Sequence, residues 1–180
     1  MNFFKKLFKK MPLPSYLIYS AVILLGIALD QLTKLLASLY LKPIDDVPLW
    51  DGVFHLNYHE NTGAAFGMMA DARWIFMLFS TVAILLFGVY LFSGRVESRL
   101  TGVAMAMIVS GGIGNMIDRI AAGYVVDFLY FKLINFAIFN VADAIVCIGA
   151  GLLVLAVTLE LIAEAKKKKS EGDGEDGTNA

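Results

Sequence analysis

Apolar residues dominate four stretches of the chain, and short polar segments separate them. The stretches cover about residues 16–40, 74–92, 101–120 and 139–163. Each is long enough to cross about 30 Å of hydrocarbon as a helix that rises about 1.5 Å per residue. The pattern therefore predicts four transmembrane helices, and because no linker separates them we expect one domain over residues 16–163.

The segments between the spans differ in length, and the two longer ones, residues 41–73 and 121–138, lie on the same side of the predicted bundle. Phe54, Leu56 and Tyr58 alternate with polar residues, a period of two that is typical of a strand. The stretch "GYVVDFLYF" in the second segment is rich in β-forming residues and could pair with that strand. We expect an all-α integral membrane protein with a small extracytoplasmic β platform.

The two ends of the chain differ from the spans. Residues 1–15 combine four lysines with apolar residues at helical spacing, which is typical of a basic amphipathic helix on an anionic membrane surface. Residues 164–180 contain a run of four lysines followed by glycines and acids. Such a segment cannot bury enough apolar surface to fold, so we expect a disordered tail.

Composition supports a membrane protein and helps to orient it. Hydrophobic residues make up 58% of the chain and the mean hydropathy is +0.70, whereas soluble domains are roughly 45–50% apolar. The net charge of -1 gives no reason to expect a nucleic-acid partner. Ten basic residues fall on the side of the two termini and five on the other. The positive-inside rule then predicts cytoplasmic termini.

Polar residues lie near the outer ends of three spans, at one predicted membrane depth. They are Asp30 and Lys34 in the first span, Asn115, Asp118 and Arg119 in the third, and Asn140 and Asp143 in the fourth. Asp30 with Lys34, or Asp118 with Arg119, could be structural ion pairs. A stripe of small residues at every fourth position of the third span leads to Asp118 and favours close helix packing.

Asp143 is the hardest of these residues to explain as a structural one. Asn140 can cap the fourth helix, but Asp143 has no cation near it in the sequence, and an ionised acid in hydrocarbon is costly unless paired, wet or functional. Two neighbouring acids that share a proton can activate water for peptide hydrolysis. Spacing alone leaves Asp30, Asp118 and Asp127 as candidate partners of Asp143.

Other functions are open at this point. Intramembrane acids also mark the pathways of transporters and channels, although these would have polar residues along their whole depth. A non-enzymatic assembly factor would use the acids as structural ion pairs, but five outer basic residues cannot match nine outer acids one to one. We expect no cofactor and no metal, because His55 and His59 have no third ligand nearby and Cys147 is the only cysteine.

Four motifs together resemble those of the lipoprotein signal peptidases, the bacterial type II signal peptidases, in order and spacing. They are "DQLTK" (30–34), "ENTGAAFG" (60–67), "GGIGNMIDRIAAGYVVDF" (111–128) and "FNVADA" (139–144). The resemblance covers roughly residues 30–149. It implies that Asp127 and Asp143 form the catalytic pair. It also implies that polar residues line or support the site, namely Asp30, Lys34, Asn61, Asn115, Asp118, Arg119 and Asn140.

The resemblance further implies an activity and a location. Members of that family are aspartic membrane endopeptidases that remove signal peptides from diacylglyceryl-modified prolipoproteins, cutting just before the lipidated cysteine. The expected partners are thus prolipoprotein substrates and membrane lipids, and we expect a monomer. The expected location is the bacterial cytoplasmic membrane, with the active site at its extracytoplasmic face.

Overall fold

The computed structural model describes residues 11–63 and 73–175, and four helices form most of it. They are α1 (Leu13–Leu36, extended by a π-helical turn over Ala37–Leu41), α2 (Arg73–Phe92), α3 (Arg99–Ala121) and α4 (Val141–Glu175). Three stretches of the described residues are long and apolar enough to cross a membrane: Leu13–Leu41, Arg99–Ala121 and Val141–Lys167. The helix α2 contributes the shorter apolar stretch Met77–Phe92. The predicted all-α membrane architecture is confirmed.

The helix α3 packs against two neighbours through residues without bulky side chains. Toward α1, Gly102 lies against Tyr19, and Ser110 donates a hydrogen bond to the carbonyl of Ile23 (3.1 Å). Toward α4, the space beside Gly111 is filled by the carbonyl oxygen of Ala142. A side chain at either glycine would separate the helices, so the predicted small-residue stripe does hold α1 close to α3.

A three-stranded antiparallel sheet lies at one end of the bundle. Its strands are β1 (Asp46–Trp50), β2 (Phe54–Asn61) and β3 (Val125–Tyr130), in the order β1-β2-β3. The predicted pairing of the "FHLNYH" segment with the "VVDFLY" segment is confirmed, whereas β1 was not predicted. The apolar face of the sheet packs on the end of α1, where Ala37 and Leu41 meet Val126 and Phe128.

The predicted end of the fourth span and the predicted start of the first span both differ from the structure. The helix α4 continues to Glu175 instead of ending near residue 163, so residues 164–175 of the predicted disordered tail are helical. Alanine, glutamate and lysine are strong helix formers, which explains how the helix extends beyond the apolar stretch. Residues 1–10 of the predicted basic amphipathic segment and residues 176–180 lie outside the described residues, and α1 begins at Leu13 after Pro12.

Candidate active site

The first turn of α4 holds Asp143 in a reciprocal cap. The side-chain oxygen of Asn140 accepts a hydrogen bond from the backbone N–H of Asp143 (2.9 Å), and the Asp143 carboxylate accepts one from the backbone N–H of Asn140 (3.2 Å). This is the geometry of a capping box, in which N-cap and N3 residues satisfy each other's backbone donors. The orientation of Asp143 is therefore fixed by the helix that carries it.

Asp127 reaches the same cap from the sheet. Its carboxylate accepts hydrogen bonds from the side-chain amides of Asn140 (2.6 Å) and Asn61 (2.9 Å). The Asp127 residue is only 2% exposed. Since Asn140 contacts Asp127 through its side chain and Asp143 through its backbone, the two carboxylates are held next to each other although their sequence positions lie in a strand and a helix.

Asn115 connects this pair to α3. Its amide nitrogen donates to Asp143 (2.7 Å), and its amide oxygen accepts from Asn140 (3.1 Å) and from the Lys34 ammonium (2.9 Å). Each of the two acids is thus held by two donors from different elements. Such an over-determined arrangement keeps both carboxylates in place before any ligand arrives.

A cavity of about 550 Å³ opens onto both carboxylates. It lies between α2, α3, α4 and β3, and apart from the polar groups around Asp127 and Asp143 its lining is mainly apolar. The lining below the acids includes Ile84, Ile108, Val146 and Cys147. Cys147 is exposed to this cavity, because it lies one helical turn from Asp143 on the same face of α4.

Lys34 forms a buried charged cluster behind the acids. Its ammonium contacts the carboxylates of Asp30 (2.9 Å) and Asp118 (2.8 Å) in addition to Asn115, so all three of its N–H donors have partners. Asp30 in turn accepts a hydrogen bond from the backbone N–H of Ala142 (2.9 Å) at the start of α4. The cluster therefore ties α1 to both α3 and the helix that carries Asp143.

The structure confirms one of the two ion pairs considered from the sequence and replaces the other. Asp30 and Lys34 do pair, whereas Asp118 pairs with Lys34 and not with the adjacent Arg119. Adjacent residues on a helix point about 100° apart, which separates the two side chains. Arg119 instead donates to the backbone carbonyl of Asn115 (3.4 Å) and lines the cavity, where it adds positive charge beside the acids.

The environment of Asp127 favours its protonated form. Burial raises the pKa of Asp127 to about 6, the hydrogen bond from Asn61 opposes that rise, and the nearby negative charge of Asp143 adds to it. A carboxyl group whose pKa lies near neutrality can keep a proton beside an ionised neighbour. Water activation by a pair of acids requires this combination.

His55 belongs to the platform and not to the site. Its Nδ1 lies 2.9 Å from the Asp46 carboxylate, and its Nε2 accepts a hydrogen bond from the backbone N–H of Gly52 (3.2 Å) in the β1–β2 turn. Both ring nitrogens are thus occupied in the hairpin. Across residues 11–63 and 73–175, no group of three or more His, Cys, Asp or Glu side chains is arranged to hold a metal ion.

Gln31 also contacts the charged cluster, although the sequence pattern did not single it out. The Gln31 side chain donates to Asp118 (2.9 Å), to Asp30 (3.2 Å) and to the carbonyl of Gly114 (3.2 Å). Its position beside Asp30 in an apolar span was a usable signal, because a polar amide inside a membrane helix also needs partners. The residues 64–67 of the "ENTGAAFG" motif lie outside the described residues.

The chain is similar to members of one protein family over most of its length. The family model described as "Signal peptidase (SPase) II" matches residues 22–159. A lipoprotein signal peptidase of Brevibacillus brevis is 42% identical over 145 residues, which cover 81% of this chain and 95% of that protein. One from Bacillus subtilis is 38% identical over 157 residues, covering 86% of this chain and 100% of that protein.

Solved structures of bacterial membrane enzymes share the fold of this chain. A bacterial membrane enzyme determined by the in meso method at 2.3 Å resolution superposes with a TM-score of 0.70 at 28% identity, covering 86% of this chain and 93% of that one. A second, determined at 1.9 Å resolution, gives a TM-score of 0.67 at 29% identity, covering 83% and 96%. Because the family model matches most of its length, the chain belongs to the signal peptidase II family. Together with its apolar helices, this makes it a bacterial membrane protease of the aspartic type.

Proposed function

We propose that this enzyme cleaves the signal peptide from diacylglyceryl-modified prolipoproteins, just before the lipidated cysteine, and that Asp127 and Asp143 activate the attacking water. The observation that carries the proposal is the contact of both carboxylates with one residue, Asn140, at the wall of a single cavity. The names of its relatives, lipoprotein signal peptidases, support the substrate class.

The proposed chemistry uses one proton shared by the two acids. The ionised carboxylate takes a proton from water as the water oxygen attacks the carbonyl carbon of the scissile peptide bond, while the protonated acid donates a hydrogen bond to the carbonyl oxygen. The tetrahedral intermediate then collapses as the leaving amine takes up a proton. The products are the free carboxyl end of the signal peptide and the amino group of the lipidated cysteine.

Charge around the acids fits such a cycle. Lys34 and Arg119 add two positive charges near the site, while Asp30 and Asp118 each add a negative one. These four charges cancel formally, so a singly protonated pair leaves one net negative charge and a doubly ionised pair leaves two. Buried excess charge is costly, which disfavours the doubly ionised pair.

The cavity also suits a substrate that remains in the membrane. Apolar residues of α2, α3 and α4 line it beneath the two acids, among them Ile84, Ile108 and Val146. An apolar signal segment could occupy this lining while the peptide bond reaches the polar end. All residues of the polar site come from one chain, and we therefore propose that the enzyme acts as a monomer.

We further propose that both termini are cytoplasmic and that the sheet and the two acids lie at the extracytoplasmic face. The excess of ten basic residues over five on the side of the termini supports this orientation. A fluorescent reporter that matures only in the cytoplasm, fused after Ala180, should be bright. A dark fusion together with an active periplasmic phosphatase fusion at the same position would reverse the orientation.

The activity itself is tested with a synthetic diacylglyceryl-modified prolipoprotein peptide and the purified enzyme in lipid. Mass spectrometry should find the intact signal peptide and a product whose first residue is the lipidated cysteine, with a chelator present throughout. The same peptide without the lipid is the control for substrate class. Cleavage at another bond, or equal cleavage of the unlipidated peptide, would contradict the proposed specificity.

A further inference from the structure

His59 occupies a place on the sheet that the reaction above does not use. In the antiparallel pairing of β2 with β3, His59 is directly opposite Asp127, and Asn61 is opposite Val125. Directly opposed residues, and residues two apart on one strand, project from the same face of a sheet. Asn61, Val125 and Asp127, which share this face with His59, all line the cavity. His59 therefore lies on the cavity face, beside the catalytic carboxylate.

The side chain of His59 is exposed and available to a ligand. The two ring nitrogens of His55 are occupied in the hairpin, whereas the His59 side chain makes no hydrogen bond or ion pair with the part of the chain that the structure describes. A neutral imidazole carries one donor and one acceptor, and a protonated one carries two donors. An exposed imidazole at this position can thus bind a polar group that enters the site.

Asp127 does not need His59 as a support. Both oxygens of its carboxylate already accept hydrogen bonds, one from Asn61 and the other from Asn140. A structural role for His59 in holding the acid is therefore redundant. Because the ring is exposed on the same face as Asp127, a bound substrate can reach it.

We propose that His59 is a substrate-binding residue at the outer rim of the active site, where its ring N–H donates a hydrogen bond to a carbonyl oxygen of the bound lipopeptide. The inference rests on the proposed function, because it takes the substrate from that proposal. The carbonyl can belong to the peptide backbone next to the scissile bond or to an ester of the diacylglyceryl group. Both sources offer the same acceptor to the imidazole.

The test compares His59→Ala and His59→Gln with the parent enzyme in steady-state cleavage. Loss of a single hydrogen bond should raise KM about two- to tenfold in His59→Ala and leave kcat within about twofold, since the bond contributes to binding and not to the chemistry. Glutamine retains an N–H donor and should restore KM toward the parent value. Lys132→Ala is the matched control: it is an exposed basic residue in the turn that follows β3, not opposite Asp127 in the sheet, and the substitution should leave KM unchanged.

An ether-linked analogue of the lipid, which has no ester carbonyl, identifies the acceptor. If the ester is the acceptor, the KM difference between the parent and His59→Ala disappears with this analogue; if a backbone carbonyl is the acceptor, the difference persists. A KM for His59→Ala equal to that of the parent overturns the inference while leaving the proposed function in place. So does an effect confined to kcat.

Direct binding separates the inference from the proposed function. The affinity of the Asp143→Asn variant for the uncut lipopeptide is measured with and without His59→Ala. In one outcome the parent enzyme fails to cleave while the Asp143→Asn variant still binds the lipopeptide, and binds it more weakly when His59→Ala is added. That result would refute the proposed function but support the contact between His59 and the lipopeptide. A protein that neither cleaves nor binds the lipopeptide overturns both.

Discussion

Lys34 offers the sharpest test of how the site is held together. Its side chain is 4% exposed, and its ammonium neutralises the carboxylates of Asp30 and Asp118, whose side chains are 0% and 10% exposed. Replacing Lys34 with methionine keeps the length and apolar stem of the side chain but removes the charge. The two carboxylates would then share a buried site without their cation.

The expected loss follows from this burial. Removing one partner of a buried ion pair costs about 3–5 kcal/mol, because the other charge is left without compensation. Lys42 provides a matched control, since it contacts the Glu60 carboxylate at 2.6 Å but with side chains that are 54% and 37% exposed. Exposed pairs of this kind contribute about 0–1 kcal/mol. Lys34→Met should therefore lower the free energy of unfolding by several times as much as Lys42→Met.

The free energy of unfolding can be measured by reversible denaturation in mixed micelles, with helical circular dichroism as the signal. Adding Asp118→Asn to Lys34→Met should recover part of the loss, because it removes one of the two unpaired charges. If Lys34→Met cost less than about 1 kcal/mol, or no more than Lys42→Met, the cluster would not be the electrostatic support described here.

Two further predictions concern the acids and the helix packing. The pKa of Asp127, about 6, marks the loss of the shared proton, so kcat/KM should fall as the pH rises through that value. Asn61→Ala removes a hydrogen bond that favours ionised Asp127, so it should move this fall to higher pH; an unmoved profile or a shift to lower pH would contradict the assignment. Gly114→Ala should reduce both stability and activity, because the new Cβ would lie 2.5 Å from an Asp30 oxygen. Gly151→Ala is the control: nothing lies within 4 Å of its Cβ, so the substitution should be neutral or stabilising by up to about 1 kcal/mol. Equal effects of the two substitutions on thermal unfolding would refute the packing argument.

The helices and part of the candidate site could be predicted from the sequence. Apolar length predicts the spans because the bilayer sets a minimum length, and the spacing of Asn140 and Asp143 is that of a helix cap. The partner of Asp143 could not be identified by spacing, because the choice among three acids depends on how β3 pairs with β2. The family resemblance pointed to Asp127, and the structure brings Asp127 into contact with Asn140.

Long-range contacts account for the features that were missed. Asp118 was considered as a partner of Arg119, its neighbour in sequence, but it pairs with Lys34 from another helix. The strand β1 contains Pro48 and shows little alternation, so its strand character comes from pairing with β2. Interactions between elements distant in sequence decide both cases, and local pattern does not encode them.

The central claim is that Asp127 and Asp143 act as one water-activating pair. The most direct measurement is the cleavage rate of the lipidated prolipoprotein peptide by the parent, Asp127→Asn and Asp143→Asn, with chelator present and the folded state of each variant checked by circular dichroism. Both variants should be folded and slower by at least about 10³-fold, since neither can complete the proton transfers alone. A folded variant that retains near-parental activity would contradict the pairing and direct attention to Asp30 or Asp118.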